Sequence, residues 1–424
     1  MSMEQDAIAQ IKHYRQQAAC LLLYQSVLAD SVGQAWLTLL DALDQGLKLE
    51  SAVAYGQWFS ALATQQQSWQ NHLLSQILTA DNAFSQQAQR TPFAQLSPAV
   101  LAGAQHDLSI LKDLYDLSFS HISEWVQSLT QISLLPALEI SSEAPGLTFL
   151  SDSNWNEAPK ELAHYYSTHG VGIFGQFTAF RWQNAQLTGI PSPDPIRLQQ
   201  LAAYEHPKQQ LIQNTESLLR GYTAQNVLLY GSRGAGKSSV VKALLNEYSE
   251  RGLRLIEVPK ASLHNLPQIV EKLSCVPQKF IIFVDDLSFE EDDEAFKALK
   301  VVLEGGVTAR PQNVVVYATS NRRHLVREFF EERPKPKDAD EIQAWDTVQE
   351  KLSFSDRFGL TLTFTPADQP TYLKIVHELV AQAGLTIEAE NLEWRARQWA
   401  TRHNGRSGRT ARQFVDFLIA EQGD

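Results

Sequence analysis

The sequence predicts an α/β fold in which helices cover both faces of a parallel sheet, with a mostly helical domain before it and a small helical lid after it. Five apolar runs suited to buried strands alternate with helical patterns from Leu198 onward, which is typical of a three-layer α/β domain. Helical periodicity covers the first part of the chain, from about residue 6 to residue 129, and returns after Pro366. The apolar runs are 226–230, 254–258, 280–284, 314–318 and 360–364.

The first part of the chain, from about residue 6 to residue 129, is predicted to be helical throughout. Apolar residues recur there at spacings of three and four, as at Leu73, Leu74, Ile77 and Leu78, and no strand pattern interrupts them. Aromatic residues lie along the same helices, and helix packing is the expected use of such stripes. These aromatic residues are Trp36, Trp58, Trp69, Tyr115 and Trp125.

These patterns divide the chain into four parts. A helical domain covers 1–135, a linker that can hold a small β element covers 136–195, the α/β domain covers 196–366, and the lid covers 367–424. Within the linker, residues 170–175 read GVGIFG and match the GxGxxG pattern of dinucleotide sites. Because no good strand precedes this match and no acidic residue ends a second strand after it, we predict a hairpin or turn there.

Composition and charge narrow the class of protein. Of the 424 residues, 44% are hydrophobic and 20% are charged, as in ordinary globular domains, and the net charge is -12. An acidic molecule repels a phosphate backbone, which argues against non-specific binding to nucleic acid. The N-terminus has no apolar segment for export or anchoring, and Cys20 and Cys275 lack the spacing of a zinc site. We therefore expect a cytoplasmic protein with no membrane association.

The strongest motif is GSRGAGKS at 231–238, which follows the first apolar run and opens a helical pattern. Glycines let backbone N–H groups turn towards phosphate oxygens, and a helix N-terminus adds partial positive charge. A lysine and a hydroxyl at these spacings reach the phosphates and a magnesium ion, respectively. The motif thus predicts ATP and Mg²⁺ as cofactors, with Lys237 on the phosphates and Ser238 on the metal. The residues expected to bind the nucleotide here are Gly231, Ser232, Arg233, Gly234, Ala235, Gly236, Lys237, Ser238 and Ser239.

Two further strands are predicted to end in polar residues beside this loop. The run 280–284 is followed by Asp285 and Asp286, and the run 314–318 is followed by Thr, Ser and Asn321. A carboxylate at a strand end can hold Mg²⁺ through water, and a second one can orient the attacking water. We therefore assign Asp285 to the metal and Asp286 to the water. If its strand lies between the other two, Asn321 can position water from the opposite side.

Two arginine sites complete the prediction. Arg357, just before the last strand, is placed where it could enter the site of a neighbouring subunit and stabilise charge on the transferred phosphoryl group. Arg409 opens a helix of the lid and could bind the γ-phosphate within its own subunit, with Arg412 and Arg322 as alternatives. A surface salt bridge is the competing interpretation of each arginine.

This set of motifs resembles the AAA+ family of P-loop ATPases. GSRGAGKS is similar to Walker A, FVDD to Walker B, ATSN to sensor 1, SDRFG to the arginine-finger region and SGRTARQF to sensor 2. The phrases NVLLYGSRGAGKSSVVKALLNEY, FVDDLSFEEDDEAFKALK and YATSNRRHL are closer still to a bacterial AAA+ group, domain of unknown function 815. The resemblance implies a P-loop NTPase fold and a nucleotide cofactor, and no particular substrate.

The sequence departs from the general AAA+ pattern at two places. Walker B usually ends in Asp-Glu, and Asp286 is one methylene shorter than the usual glutamate, so slow turnover is expected. The segment 259–267 lacks the aromatic-glycine element of rings that thread polypeptides, which argues against processive unfolding.

Two functions are consistent with these features. The first is an ATPase whose cycle remodels a bound partner, with the helical N-terminal domain contacting an unknown protein and copies of the chain forming a nucleotide-dependent homo-oligomer. The second is a slow ATP-dependent switch or loader-like binding module with little motor activity. Nucleic-acid binding through the arginines of the lid is less favoured because the chain is acidic. A small-molecule phosphotransferase would have no use for the lid and both arginine sites.

Overall fold

The computed structural model describes residues 3–132, 155, 157–288, 294–304, 311–321, 354–403 and 405–422. The chain divides into two units, 1–176 and 177–424. Within the described ranges, no helix combines the length and the apolar character needed to cross a membrane. Arg322, one alternative for the lid arginine, lies outside the described residues.

The described residues of the first unit form a bundle of nine α-helices and contain no strand. Asp30, Ser68 and Ser118 precede three of these helices, and each side chain accepts a hydrogen bond from the backbone N–H three residues later. Such caps contribute about 1 kcal/mol each, which explains where these helices begin. The helices are α1 Met3–Ala19, α2 Ser31–Asp44, α3 Lys48–Gln65, α4 Trp69–Thr79, α5 Ala83–Ala88, α6 Pro98–Asp116, α7 Phe119–Thr130, α8 Ala158–His169 and α9 Ile173–Gln176.

Aromatic residues form the centre of this helical core. The rings of Trp36 and Trp69 stack with their centroids 5.0 Å apart. Trp36, Trp58, Trp69 and Trp125 are all buried, and Tyr115 is partly buried against the same core. The prediction that these aromatics serve helix packing is confirmed.

The stretch 170–175 forms a turn and then enters a single turn of helix. Gly170 and Gly172 have positive φ angles of 88° and 54°, and α9 begins at Ile173. The residues before it form α8, which ends at His169, rather than a strand. The predicted turn is therefore present, and the strand that a dinucleotide site requires is absent at this position.

The second unit is built on a sheet that has seven strands among the described residues. Their order is β2-β1-β4-β5-β6-β3-β7, and every neighbouring pair is parallel except β1 with β2. All five strands predicted from apolar runs are present, and the β1–β2 hairpin extends one edge of the sheet. The strands are β1 Ala179–Gln183, β2 Gln186–Gly189, β3 Val227–Gly231, β4 Leu253–Glu257, β5 Lys279–Val284, β6 Val314–Ser320 and β7 Leu360–Phe364.

Helices pack on this sheet and form the lid. Residues of α10 and α11 share one buried core with residues of the parallel strands, and the last three helices share a core of their own. This is the predicted α/β fold with a helical lid. The helices are α10 Glu205–Leu219, α11 Lys237–Tyr248, α12 Leu266–Ser274, α13 Glu294–Glu304, α14 Gln369–Gln382, α15 Ala389–Arg402 and α16 Gly408–Gln422.

The strand order brings three chain segments together at the carboxyl end of the sheet. β6 lies between β5 and β3, with Val284 paired to Ala318 and Tyr230 paired to Ser320. Because the three strands are parallel, the residues that follow them meet at this end, where ligands of open α/β sheets bind. The position of β6 that the Asn321 assignment required is the one observed.

Candidate functional site

The glycine-rich loop joins β3 to α11. Gly231 and Gly234 have positive φ angles of 142° and 74°, and Gly236, which precedes α11, has a φ of 84°. Residues with side chains rarely adopt such angles. A Cβ atom on Gly231 would also lie 1.9 Å from the carbonyl oxygen of Phe364. The loop therefore depends on glycine, and it leads into the N-terminus of α11, where an anion is stabilised by free N–H groups and the helix dipole.

Lys237, the first residue of α11, is folded against this loop. Its Nζ donates hydrogen bonds to the carbonyl oxygens of Gly231 and Ser232, at 2.9 and 2.8 Å, and to Asn321 Oδ1 at 3.2 Å. Burial lowers the pKa of Lys237, while the carboxylates of Asp285 and Asp286 oppose part of that shift. A buried ammonium whose partners are mostly neutral is poised to exchange them for a charged phosphate.

Ser238 and Asp285 lie side by side as the motif predicts for a metal site. Ser238 Oγ donates to Asp285 Oδ1 at 2.6 Å. Hydroxyl and carboxylate oxygens are the ligands that Mg²⁺ prefers. Mg²⁺ usually takes only one or two carboxylates from the protein and completes its coordination with phosphate and water. These residues fit Mg²⁺ bound together with a nucleotide.

Thr319 is part of the same cluster, and the sequence did not single it out. Its hydroxyl donates to Asp285 Oδ1 and accepts the backbone N–H of Asp286 at 2.9 Å. Thr319 is buried and holds both acidic residues in place. The pairing of Val284 with Ala318 sets this contact, because it puts the next residues of β5 and β6 side by side. The sequence shows only a hydroxyl at the end of a predicted strand. Its role cannot be predicted from this, because the contact depends on which strand lies beside it.

Asp286 and Asn321 contact each other directly. Asn321 Nδ2 donates to Asp286 Oδ1 at 2.6 Å, and Asn321 Oδ1 accepts from Lys237. Asp286 has a φ of 52°, an uncommon value for a residue other than glycine and one associated with functional sites. A chain of hydrogen bonds therefore links the lysine, the amide and the carboxylate assigned to water.

The lid supplies Arg409 and Arg412 to the same cavity. Its approach to the glycine-rich loop is close, since a Cβ atom on Gly234 would lie 2.9 Å from Ser407 Oγ and 3.2 Å from Arg409 Cβ. Within the part of the chain that the structure describes, neither arginine forms an ion pair. Two cationic side chains with no carboxylate partner there suit an anionic ligand.

The cavity measures about 700 Å³, and its wall combines polar and apolar side chains. The polar residues of the wall come from the loop, the two acidic residues and the lid arginines. The apolar residues include Ile196, Leu201 and Tyr204 together with Ile375 and Leu379 of α14. Polar groups that suit phosphate and apolar groups that suit a flat ring are both expected in a nucleotide site. Of the remaining predicted binding residues, those in the cavity wall are Arg233, Gly234, Ala235, Gly236 and Ser239.

Arg357, a predicted catalytic residue, does not line this cavity. It ends a short 3-10 turn, Phe354–Arg357, before β7, and it is not among the residues that line the cavity. Its guanidinium forms an ion pair with Glu304, the last residue of α13. Gly231 and Ser232 are also outside the wall and instead present their carbonyl oxygens to Lys237.

The family model that matches this chain covers nearly all of the second unit. A family model described as "Protein of unknown function (DUF815)" matches residues 175–422. No curated protein sequence matches the chain. The solved structures that match include a RuvB Holliday junction branch migration motor of Thermotoga maritima, with 14% identity, 53% of this chain and 72% of that chain covered, and a TM-score of 0.33. A single-substitution variant of the same RuvB gives 15% identity, 53% and 73% coverage, and a TM-score of 0.34.

Proposed function

This chain belongs to the family described as a protein of unknown function (DUF815), and from that premise we propose that it is an AAA+ ATPase that hydrolyses ATP with Mg²⁺ and couples its nucleotide state to the remodelling of a macromolecular partner. One observation carries the proposal. Lys237 Nζ, the Ser238–Asp285 pair and the Asn321–Asp286 pair converge at one wall of a single cavity. This is the set of groups that phosphoryl transfer to water requires.

Each residue of the cluster has a role in this proposal. Lys237 leaves the loop carbonyls and contacts the β- and γ-phosphates. Ser238 would hold Mg²⁺ directly and Asp285 would hold it through water, which would place positive charge against the phosphates. Asp286 orients the attacking water and accepts its proton, and Asn321 positions that water from the opposite side.

The arginines act on the transferred phosphoryl group. Arg409 binds the γ-phosphate from the lid of its own subunit, and Arg412 supports it. Arg357 enters the site of a neighbouring copy, so the proposal includes a nucleotide-dependent homo-oligomer. Its ion pair with Glu304 and its absence from the cavity of its own chain are compatible with action in another subunit.

Each part of the chain has its own role in this proposal. We propose that 1–135 contacts an unknown protein partner and that 196–366 and 367–424 form the nucleotide-binding domain and its lid. The described residues of 136–195 do not form a linker, because they include α8 and α9 of the first unit and the β1–β2 hairpin of the sheet. The net charge of -12 disfavours nucleic acid as that partner. The proposed setting is the cytoplasm.

A slow ATP-dependent switch is the second candidate, and a specific contact favours it. Asp286 is shorter than glutamate, and Asn321 already occupies its Oδ1 at 2.6 Å. A carboxylate that is one methylene shorter and is held at one oxygen by this amide reaches the attacking water less readily, which lengthens the time the protein spends with ATP bound. In this alternative, ATP closes the lid and sets partner affinity, and hydrolysis only resets the cycle.

Turnover measured against protein concentration tests the leading proposal. Phosphate release per chain should rise with concentration, and Arg357→Ala should abolish that rise while leaving Mg-ATP affinity unchanged. Arg181→Ala is the matched control, because Arg181 is also an ion-paired arginine, bound to Glu257, and lies outside the cavity wall. Turnover that is independent of concentration and unaffected by Arg357→Ala would count against a finger acting between subunits.

Asp286→Ala separates the two candidates. If the protein is a switch, this substitution should increase the amount of partner captured from a lysate of the native host with ATP present, because the partner is not released. Under the remodelling proposal the variant still binds ATP and loses only the ability to alter its partner, so the amount of partner captured does not increase.

A further inference from the structure

The first unit accounts for most of the net negative charge of the molecule. Residues 1–176 contain 16 Asp and Glu and only 6 Lys and Arg, so this unit has a net charge of -10 out of the -12 of the whole chain. The second unit is therefore close to neutral. A surface with so uneven a charge attracts cationic partners and repels anionic ones.

An aromatic cleft opens on this acidic unit between α1 and α7. It measures about 300 Å³, which suits a single side chain better than a cofactor. The rings of Tyr14 and Trp125 lie 5.7 Å apart, and those of His121 and Trp125 lie 6.3 Å apart. The residues that define this α1–α7 cleft are Gln10, His13, Tyr14, Leu117, His121 and Trp125.

Trp125 forms a fixed part of the cleft rather than a mobile surface ring. It is 4% exposed, and its Nε1 donates to Gln10 Oε1 at 3.2 Å. Since Trp125 is buried and its indole N–H is satisfied within the cleft, the partly exposed ring of Tyr14 is the aromatic face available to a ligand. Aromatic faces attract cations, and the guanidinium of arginine stacks on them especially well.

Asp113 of α6 lies against α1, close to the turn of that helix that holds Tyr14. Asp113 accepts a hydrogen bond at 2.6 Å from the neutral side chain of Gln17, which is three residues after Tyr14. Burial raises the pKa of Tyr14, and the negative charges of Asp113 and Asp116 raise it further. Asp116 pairs with Lys112 one helical turn away, whereas Asp113 forms no ion pair among the described residues.

We propose that the α1–α7 cleft binds an arginine side chain presented by a basic segment of a protein partner. The guanidinium stacks against the ring of Tyr14, which Trp125 supports from the buried side, and Asp113 supplies the opposing charge. This inference rests on the partner-binding role proposed for the first unit and names the chemistry of that partner.

An arginine peptide of defined sequence tests the inference on the full chain with Mg-ATP present. The probe is a fluorescein-labelled (Ala-Arg)4 peptide, and the same peptide with citrulline in place of arginine has the same shape without the charge. Anisotropy is measured at about 0.15 M salt, where exposed charges more than about 8 Å apart are largely screened. The arginine peptide should bind at least about tenfold more tightly than the citrulline peptide.

Three substitutions assign the binding to the cleft. Tyr14→Leu should weaken it about fivefold or more, whereas Tyr14→Phe, which keeps the ring, should bind like the wild type. Asp113→Asn should weaken it about threefold, and Glu161→Gln, an equal charge change on α8, should weaken it by less than half as much. Equal binding of the two peptides, no effect of Tyr14→Leu, or equal effects of Asp113→Asn and Glu161→Gln would overturn the inference.

Mg-ATP titration of the same samples keeps this test separate from the proposed function. A chain that binds Mg-ATP and ignores the arginine peptide overturns the cleft assignment and leaves the ATPase proposal standing. A chain that binds the peptide through the cleft and not Mg-ATP supports the cleft and overturns the ATPase proposal.

Discussion

Replacing Thr319 by valine removes one hydroxyl from the centre of the candidate site and keeps the shape of the side chain. That hydroxyl donates to Asp285 Oδ1 and accepts the N–H of Asp286 at 2.9 Å. Thr319 is only 2% exposed, so bulk water does not readily take the place of the lost oxygen. Losing a hydrogen bond to a charged group costs about 1.5–3 kcal/mol. Because Asp285 is the proposed magnesium ligand, we expect the affinity for Mg-ATP to fall about 10- to 100-fold.

Titration calorimetry measures this effect when ATP is added once with Mg²⁺ and once with a chelator. Thr319→Val should raise the Kd of Mg-ATP at least about tenfold and change the Kd of metal-free ATP less than about twofold. Ser320→Ala is the matched control, because its buried hydroxyl belongs to the next residue and donates to the Leu287 carbonyl oxygen at 2.8 Å. An unchanged Mg-ATP affinity in Thr319→Val, or an equal loss in Ser320→Ala, would refute the role given to this hydroxyl.

Three other predictions follow from the site. Gly231→Ala should lower the free energy of unfolding about 2–4 kcal/mol more than Gly221→Ala, because both glycines have positive φ and only the Cβ at 231 meets a backbone atom; equal urea midpoints would contradict this. Burial lowers the pKa of Lys237 and a bound phosphate raises it again, so ATP binding in alkaline solution should take up protons. Calorimetry in buffers of different ionisation enthalpy measures that uptake, and proton release would have the wrong sign. Asp286→Asn should keep Mg-ATP affinity within about threefold while slowing phosphate release at least about 100-fold, and an unchanged rate would remove Asp286 from the chemistry.

Local patterns in the sequence were sufficient for much of the fold. The five parallel strands were predicted because strands buried on both faces read as continuous apolar runs. The glycine-rich loop was predicted because its spacing fixes the geometry of Lys237 and Ser238 relative to the helix N-terminus. In both cases the information lies within about ten residues of chain.

Features that depend on long-range pairing could not be predicted in the same way. Thr319 contacts Asp285 only because β6 lies beside β5 in one register. The apolar residues of the cavity wall, such as Tyr204 and Ile375, come from segments that are distant in the sequence. Likewise, the ion pair between Arg357 and Glu304 joins the ends of elements that the sequence does not place together. Each contact is set by tertiary packing rather than by local spacing.

The most direct measurement is a calorimetric titration of Mg-ATP into the wild-type chain and into Lys237→Ala. We expect one site per wild-type chain and an affinity at least about 100-fold weaker in the variant, because it removes the ammonium that the phosphates would engage. Absence of heat with the wild type, or equal affinities for the two proteins, would contradict a nucleotide held by this loop.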